Sequence, residues 1–204
     1  MDVLGIDEAG RGSVLGPLVI AGVSIPENKC SILERMGVKD SKRLTRSRRH
    51  ILARKLEKMF DFKTVIISAK EIDELRADGV NLNEIERLGM EKIISEMNPE
   101  KVIVDAVDIK ADRFQEVISK STGANVIAEH KADDNYIEVS AASIIAKQTR
   151  DEIIAQINKN YRKIGGIGSG YPSDPTTKKF LANFTYDEMP DFVRKSWATV
   201  KNMK

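Results

Sequence analysis

The chain has 204 residues, enough for one α/β domain with an appendage or for two small domains. Its 33 Lys and Arg against 31 Asp and Glu leave a net charge of +2, which excludes a polycation or a polyanion. With 41% hydrophobic and 31% charged residues, a disordered chain is excluded as well. One cysteine, Cys30, and two histidines, His50 and His130, rule out a disulfide framework and a His/Cys zinc cage. Any metal must be held by oxygen, which points to Mg²⁺ or Mn²⁺. The longest apolar stretch, 14–23, is interrupted by Gly16, Pro17 and Gly22. It falls well short of the roughly 20 residues of a membrane span, so no membrane partner and a cytoplasmic location are expected.

In chain order, Val3–Asp7 reads as a strand ending at Glu-Ala-Gly-Arg-Gly, and Leu18–Ser24 as a second strand able to pair antiparallel with it. Arg46–Met59 has apolar residues at helical spacing. Phe62–Ile67 is a third strand. Ser68 with Glu71 forms a capping box, and Asn81 with Glu84 marks a further helix start, whose helix runs to about Met97. Asn98-Pro99 ends it. Lys101–Asp105 is a fourth strand, Asp112–Lys120 a helix, Asn125–Glu129 a fifth strand and Ser140–Tyr161 a long helix. This order predicts an α/β fold, a mixed five-stranded sheet flanked by helices. At Gly165 the composition turns to glycine and proline, with two short helices beyond. The expected division is 1–164 as the main domain and 165–204 as a small helical C-terminal extension.

Two of the strands end in carboxylates, Asp7 with Glu8 and then Asp105, and Asp133 with Asp134 precedes the long helix. Strand ends are where α/β sheets place ligand sites. Carboxylates gathered there repel one another unless divalent cations neutralise them, and two such cations suit phosphoryl transfer. Taken singly, each acid could equally be a solvated loop residue. Adjacent strand residues face opposite sides, so Asp7 and Glu8 can share a site only if the strand ends between them. A second charge feature is the run 39–58, nine Lys and Arg against Asp40 and Glu57, which either lines a phosphate backbone or is a solvated helix face. Gly10-Arg11-Gly12 is no dinucleotide fingerprint, since Leu15 stands where a third glycine belongs and a strand follows. No GxxxxGK[ST] or GxSxG motif occurs.

Six ordered blocks carry a resemblance. Ile-Asp-Glu-Ala-Gly-Arg-Gly (6–12) with Gly-Pro-Leu-Val (16–19), Asp-Ser-Lys-Arg-Leu (40–44), His-Lys-Ala-Asp (130–133), Ala-Ala-Ser-Ile-Ile-Ala-Lys (141–147) and Gly-Ser-Gly-Tyr-Pro-Ser-Asp-Pro (168–175) resemble ribonuclease HII, its archaeal branch most nearly. Val-Arg-Lys-Ser-Trp (193–197) fits too. The resemblance implies a ribonuclease H-like fold and Mg²⁺- or Mn²⁺-dependent cleavage of RNA paired with DNA, including cuts 5′ of ribonucleotides embedded in duplex DNA. It implies Asp7, Glu8, Asp105 and Asp133 as the catalytic and metal-binding carboxylates, with Asp134 a solvated neighbour. For substrate binding it implies Gly10, Arg11 and Gly12 at the 2′-hydroxyl, Tyr171 on the sugar, and Lys42, Arg46 and Lys147 at phosphates. His130 and Trp197 are expected to be structural. A monomer is expected, and Val200-Lys-Asn-Met-Lys204 shows no evident sliding-clamp peptide. Two other readings are a DNA nuclease of the same fold and a non-catalytic module binding RNA–DNA hybrids.

Overall fold

The computed structural model describes residues 1–203, apart from the side chains of Asp40 and Ser41. Those two side chains of the 40–44 block, and Lys204, lie outside what is described. Five strands, β1 (Asp2–Ala9), β2 (Leu18–Pro26), β3 (Phe62–Ile67), β4 (Lys101–Asp105) and β5 (Asn125–Glu129), form one sheet in the order β3-β2-β1-β4-β5. β1 and β2 are antiparallel, whereas β1–β4 and β4–β5 are parallel, so the sheet is mixed as expected. The helices are α1 (Cys30–Arg35), α2 (Arg46–Met59), α3 (Ala69–Ala77), α4 (Leu82–Met97), α5 (Ala111–Thr122), α6 (Ala132–Asn135), α7 (Ile137–Asn160), α8 (Pro175–Leu181) and α9 (Ala198–Lys201). The capping box of Ser68 and Glu71 at α3 is formed from both sides.

Several elements lacked a sequence signal. α1 is six residues long, and Val38–Arg43 forms a 3₁₀ turn, so neither is long enough to display a helical period. The long helix begins at Ile137 rather than Ser140, preceded by the four-residue α6. β1 runs on through Ala9, so no strand end separates Asp7 from Glu8.

Packing divides the chain differently from a cut at 164/165. One compact unit comprises Met1–Ala9, Val19–Val65 and Asn83–Gln148. The other comprises Gly10–Leu18, Ile66–Leu82 and Thr149–Lys204. The second is discontinuous because Val14 and Leu15, distant in sequence, share a core with Ile154, Ile167, Phe180, Val193 and Val200. Tyr161, Phe180 and Phe192 interlock there edge-on and stacked. A composition shift marks a change along the chain and cannot register a core assembled from segments far apart in sequence.

In the first unit, β1 lies so close to the start of α7 that residue 5 has no room for a side chain. A Cβ on Gly5 would clash with the Glu138 carbonyl and lie 2.5 Å from the Val139 nitrogen. Backbone cannot swing aside as a flexible side chain can. Gly5→Ala is therefore expected to cost about 3 kcal/mol or more, a Tm fall of roughly 6–12 °C in a thermal melt. A melt unchanged within 2 °C would show that β1 and α7 separate easily.

Candidate active site

The parallel register of β1 and β4 pairs Ile6 with Val104, so Asp7 and Asp105 are the next residues on neighbouring strands. Residues level with each other on adjacent strands share a face of the sheet. Asp7 is buried, and its carboxylate accepts the Glu8 amide at 2.8 Å and a hydrogen bond from the Ser143 hydroxyl on α7. Ser143 in turn accepts from the Lys147 ammonium at 2.7 Å, one helical turn further on. Burial, and then the charge of Asp105, push the Asp7 carboxyl up to about 6. The half-buried Asp105 is raised too, by burial first and then by Asp133, while its Oδ1 accepts the Ala132 amide at 3.2 Å. That amide belongs to the first turn of α6, which starts from Lys131 in the left-handed region at φ 57°. A non-glycine residue there is strained, and the strain places the α6 amide on Asp105 and the buried Asp133 beside it.

Lys42 closes the group. Its Nζ lies 3.1 Å from Asp133 and 2.6 Å from Asp134. The Asp134 contact is the larger cause of a raised Lys42 pKa, and Lys42 holds the Asp134 carboxyl below its usual range. Asp134, expected as a solvated neighbour, is exposed yet serves as the second anchor of Lys42. Arg46 is exposed on the first turn of α2. Lys147, expected at a phosphate, points its ammonium at Ser143. Glu8 is half-buried, and because β1 continues past it the pleat alternates its side chain with that of Asp7.

Three features escaped the sequence reading. Ser143 lies inside the matched block 141–147, but nothing in its spacing marks it as the partner of Asp7. Glu129 is level with Asp105 across β4 and β5 and accepts the Tyr136 hydroxyl at 2.6 Å, so it is a strand-end acid with a structural partner. The third is a pair of buried arginines in the second unit. There, Gly10-Arg11-Gly12 forms a turn with Gly10 at φ 89°, closed by the Ser13 hydroxyl on the Gly10 carbonyl. The exposed Tyr171 has the Arg150 guanidinium 5.2 Å from its ring centroid. His130 is exposed, with Nε2 3.2 Å from the Ile109 carbonyl, and Trp197 packs against the second unit's core.

Residues 4–200 match the family model described as Ribonuclease HII. This chain belongs to the ribonuclease HII family. A Methanobrevibacter smithii ribonuclease HII is 77% identical over 204 residues, 100% of this chain and 99% of the relative. Among solved structures, the ribonuclease H2 of Pyrococcus horikoshii is 42% identical with a TM-score of 0.89, covering 100% of this chain and 97% of that one. An Archaeoglobus fulgidus ribonuclease HII, solved in complex with PCNA, is 40% identical with a TM-score of 0.88, covering 99% and 96%. A ribonuclease HIII solved with Mn²⁺ shares the fold at 21% identity and a TM-score of 0.78, covering 100% and 69%. Family membership makes this chain an endoribonuclease H, acting on RNA–DNA hybrids.

The carboxylates fit a hard cation in chemistry, being all-oxygen, with Asp7 and Asp105 raised by burial first and then by a neighbouring acid. Among the described residues, no three His, Cys, Asp or Glu side chains are close enough to hold one ion as they stand. The repulsion itself is measurable. A carboxyl raised from 3.8 to about 6 binds a proton more tightly when folded, so its ionisation costs stability above pH 6 and the cost vanishes below about pH 4. Asp7→Asn is thus expected to raise Tm at pH 7.5 without divalent ions, by on the order of 1–3 kcal/mol of stability, with the gain fading by pH 4. A gain independent of pH would remove like-charge burial as its cause.

Proposed function

We propose that this chain hydrolyses the RNA strand of RNA–DNA hybrids and also cuts 5′ of ribonucleotides embedded in duplex DNA, leaving 3′-hydroxyl and 5′-phosphate ends. The observation that carries this reading is the run of electrostatically linked carboxylates from Asp7 through Asp105 to Asp133, on two parallel strands and the short helix α6. In this proposal Asp7, Glu8, Asp105 and Asp133 hold divalent cations, Mg²⁺ or Mn²⁺. Such ions would supply an activated water and stabilise the leaving 3′-oxygen. Glu8 enters through the family pattern, not through the β1 pleat. Ser143, backed by Lys147, orients the Asp7 carboxylate. Lys42, half-exposed and bridging Asp133 and Asp134, reaches a substrate phosphate, and Arg46 with the exposed basic residues of α2 extends that contact along the backbone. Gly10, Arg11 and Gly12 read the 2′-hydroxyl, the group that separates RNA from DNA at one position, and the Tyr171 ring packs on the adjoining sugar. The duplex is recognised by backbone and 2′-hydroxyl rather than by base edges.

The sequence shows no evident sliding-clamp peptide, whereas the Archaeoglobus relative was solved in complex with PCNA. A clamp is proposed as a partner here, to be tested by co-elution of the two proteins.

The primary test is cleavage of an end-labelled DNA duplex carrying one ribonucleotide, in Mg²⁺, Mn²⁺ or EDTA, beside an all-DNA duplex. Metal-dependent cutting 5′ of the ribonucleotide with the control intact is expected. Cutting of both duplexes would mark a DNA nuclease, and tight binding without cutting would mark a hybrid-binding module. Lys42→Ala should weaken binding to every duplex and flatten the slope of log K against log salt by about one. An unchanged slope would remove Lys42 from the phosphate contacts.

A further inference from the structure

The second unit buries two arginines whose side chains donate to backbone carbonyls and not to carboxylates. Arg194 is fully buried and Arg150 is 4% exposed. The Arg194 Nε donates to the Gly16 carbonyl at 3.0 Å and its Nη1 to the Arg11 carbonyl at 3.1 Å, while its backbone amide donates to Val14 at 2.9 Å. The Arg150 Nη2 donates to the Leu15 carbonyl at 2.9 Å. Two guanidinium nitrogens, Arg194 Nη2 and Arg150 Nε, are buried with no hydrogen-bond acceptor. Burial, and then the charge of Arg150, push Arg194 down to about 9. The nearby acid, Asp73 on α3, is used otherwise, accepting the backbone amides of Lys195 and Ser196 at 2.7 and 3.0 Å. Trp197 carries the Arg194 guanidinium at 4.7 Å and that of Arg76 at 5.2 Å from its ring centroid.

Packing alone does not account for this arrangement, because an apolar side chain of similar volume would fill the space without burying charge. What the two arginines hold in common is one stretch of backbone, the carbonyls of Arg11, Leu15 and Gly16. The peptide plane joins the Arg11 carbonyl rigidly to the amide of Gly12 on its opposite side. Fixing that oxygen from the buried side therefore aims the amide of the exposed Gly12. The planar fork of Arg can grip two separate carbonyls at once, which the single ammonium of Lys cannot do with the same geometry.

We propose that Arg194 is a positioning residue that presets the Gly10–Gly12 turn for the 2′-hydroxyl, with Arg150 holding the following residues and Asp73 anchoring the segment that carries Arg194. This rests on the reading of the turn given under Proposed function. The enzyme's selectivity for a ribonucleotide then depends on a residue that never touches the substrate. The sequence block 193–197 is present because it locks a turn some 180 positions earlier in the chain.

The test measures binding in an Asp7→Asn background that prevents turnover, comparing a duplex with one ribonucleotide against the same duplex in all-DNA form. Arg194→Lys keeps the charge and most of the volume but loses the double grip. It is expected to lower the ratio of the two affinities about tenfold or more, with all-DNA affinity unchanged within twofold. A merely structural role would lower both affinities together. If Arg194 chains prefer the ribonucleotide and Arg194→Lys preserves that preference, the positioning role is overturned while the proposed function stands. If chains with Arg194 intact show no preference, the reading of the turn fails first. Amide exchange in the unmodified protein decides the matter should Arg194→Lys not fold. A preset turn requires the Ser13 amide, which closes it on the Gly10 carbonyl at 3.3 Å, to be protected before substrate is added, and free exchange at this amide would overturn the proposal.

Discussion

Everything in the first unit depends on one register. β4 lies parallel to β1 with Val104 opposite Ile6, and this alone makes neighbours of two aspartates 98 positions apart. Once level, Asp7 and Asp105 share the face against which α7 packs, and the close approach at Gly5 brings that helix down onto the sheet. The site is an electrostatic cost built into the core. Asp7 and Asp105 are raised by burial and then by a neighbouring acid, and the group is held by Ser143, the Ala132 amide and Lys42. Such a group stores a demand for positive charge, and that demand is the physical ground of the cation-assisted phosphoryl chemistry proposed for it.

The second unit meets the inverse problem. Arg150 and Arg194 place two positive charges in its interior, and their hydrogen bonds go to backbone carbonyls instead of acids. Carbonyl oxygens offset only part of the desolvation of a guanidinium, so this too is costly. In both units the cost fixes a short piece of chain with an exposed neighbour: Asp133 and Lys42 in one, Gly12 and Tyr171 in the other. On the proposed reading of the Gly10–Gly12 turn, telling one 2′-hydroxyl from hydrogen gains from rigidity at the reading group, because a loosely held amide would average over both.

Much of this was legible before the structure. Strands β3, β4 and β5 begin and end where alternation and apolar runs placed them, because short strands bounded by turns announce both ends. The six blocks, read in order, pointed to the family that the comparisons then showed. The short helices α1 and α6 were invisible, since four to six residues display no period. β1 extends past both acids because Ala9 still pairs with β2 and the turn begins only at Gly10.

Residue type and spacing by themselves determined the class of fold, the exclusion of sulfur and imidazole metal chemistry, and the oxygen donors available for a hard cation. Those are properties of composition and of local alternation, which a linear string carries in full. Which acids act on one another, that Ser143 serves Asp7, that Glu129 is taken by Tyr136, and that Arg194 grips the carbonyls of residues 11 and 16 were decided only by tertiary structure. These meetings of side chains are set by strand register and by a compact unit drawn from three separate segments. No window along the chain contains that information.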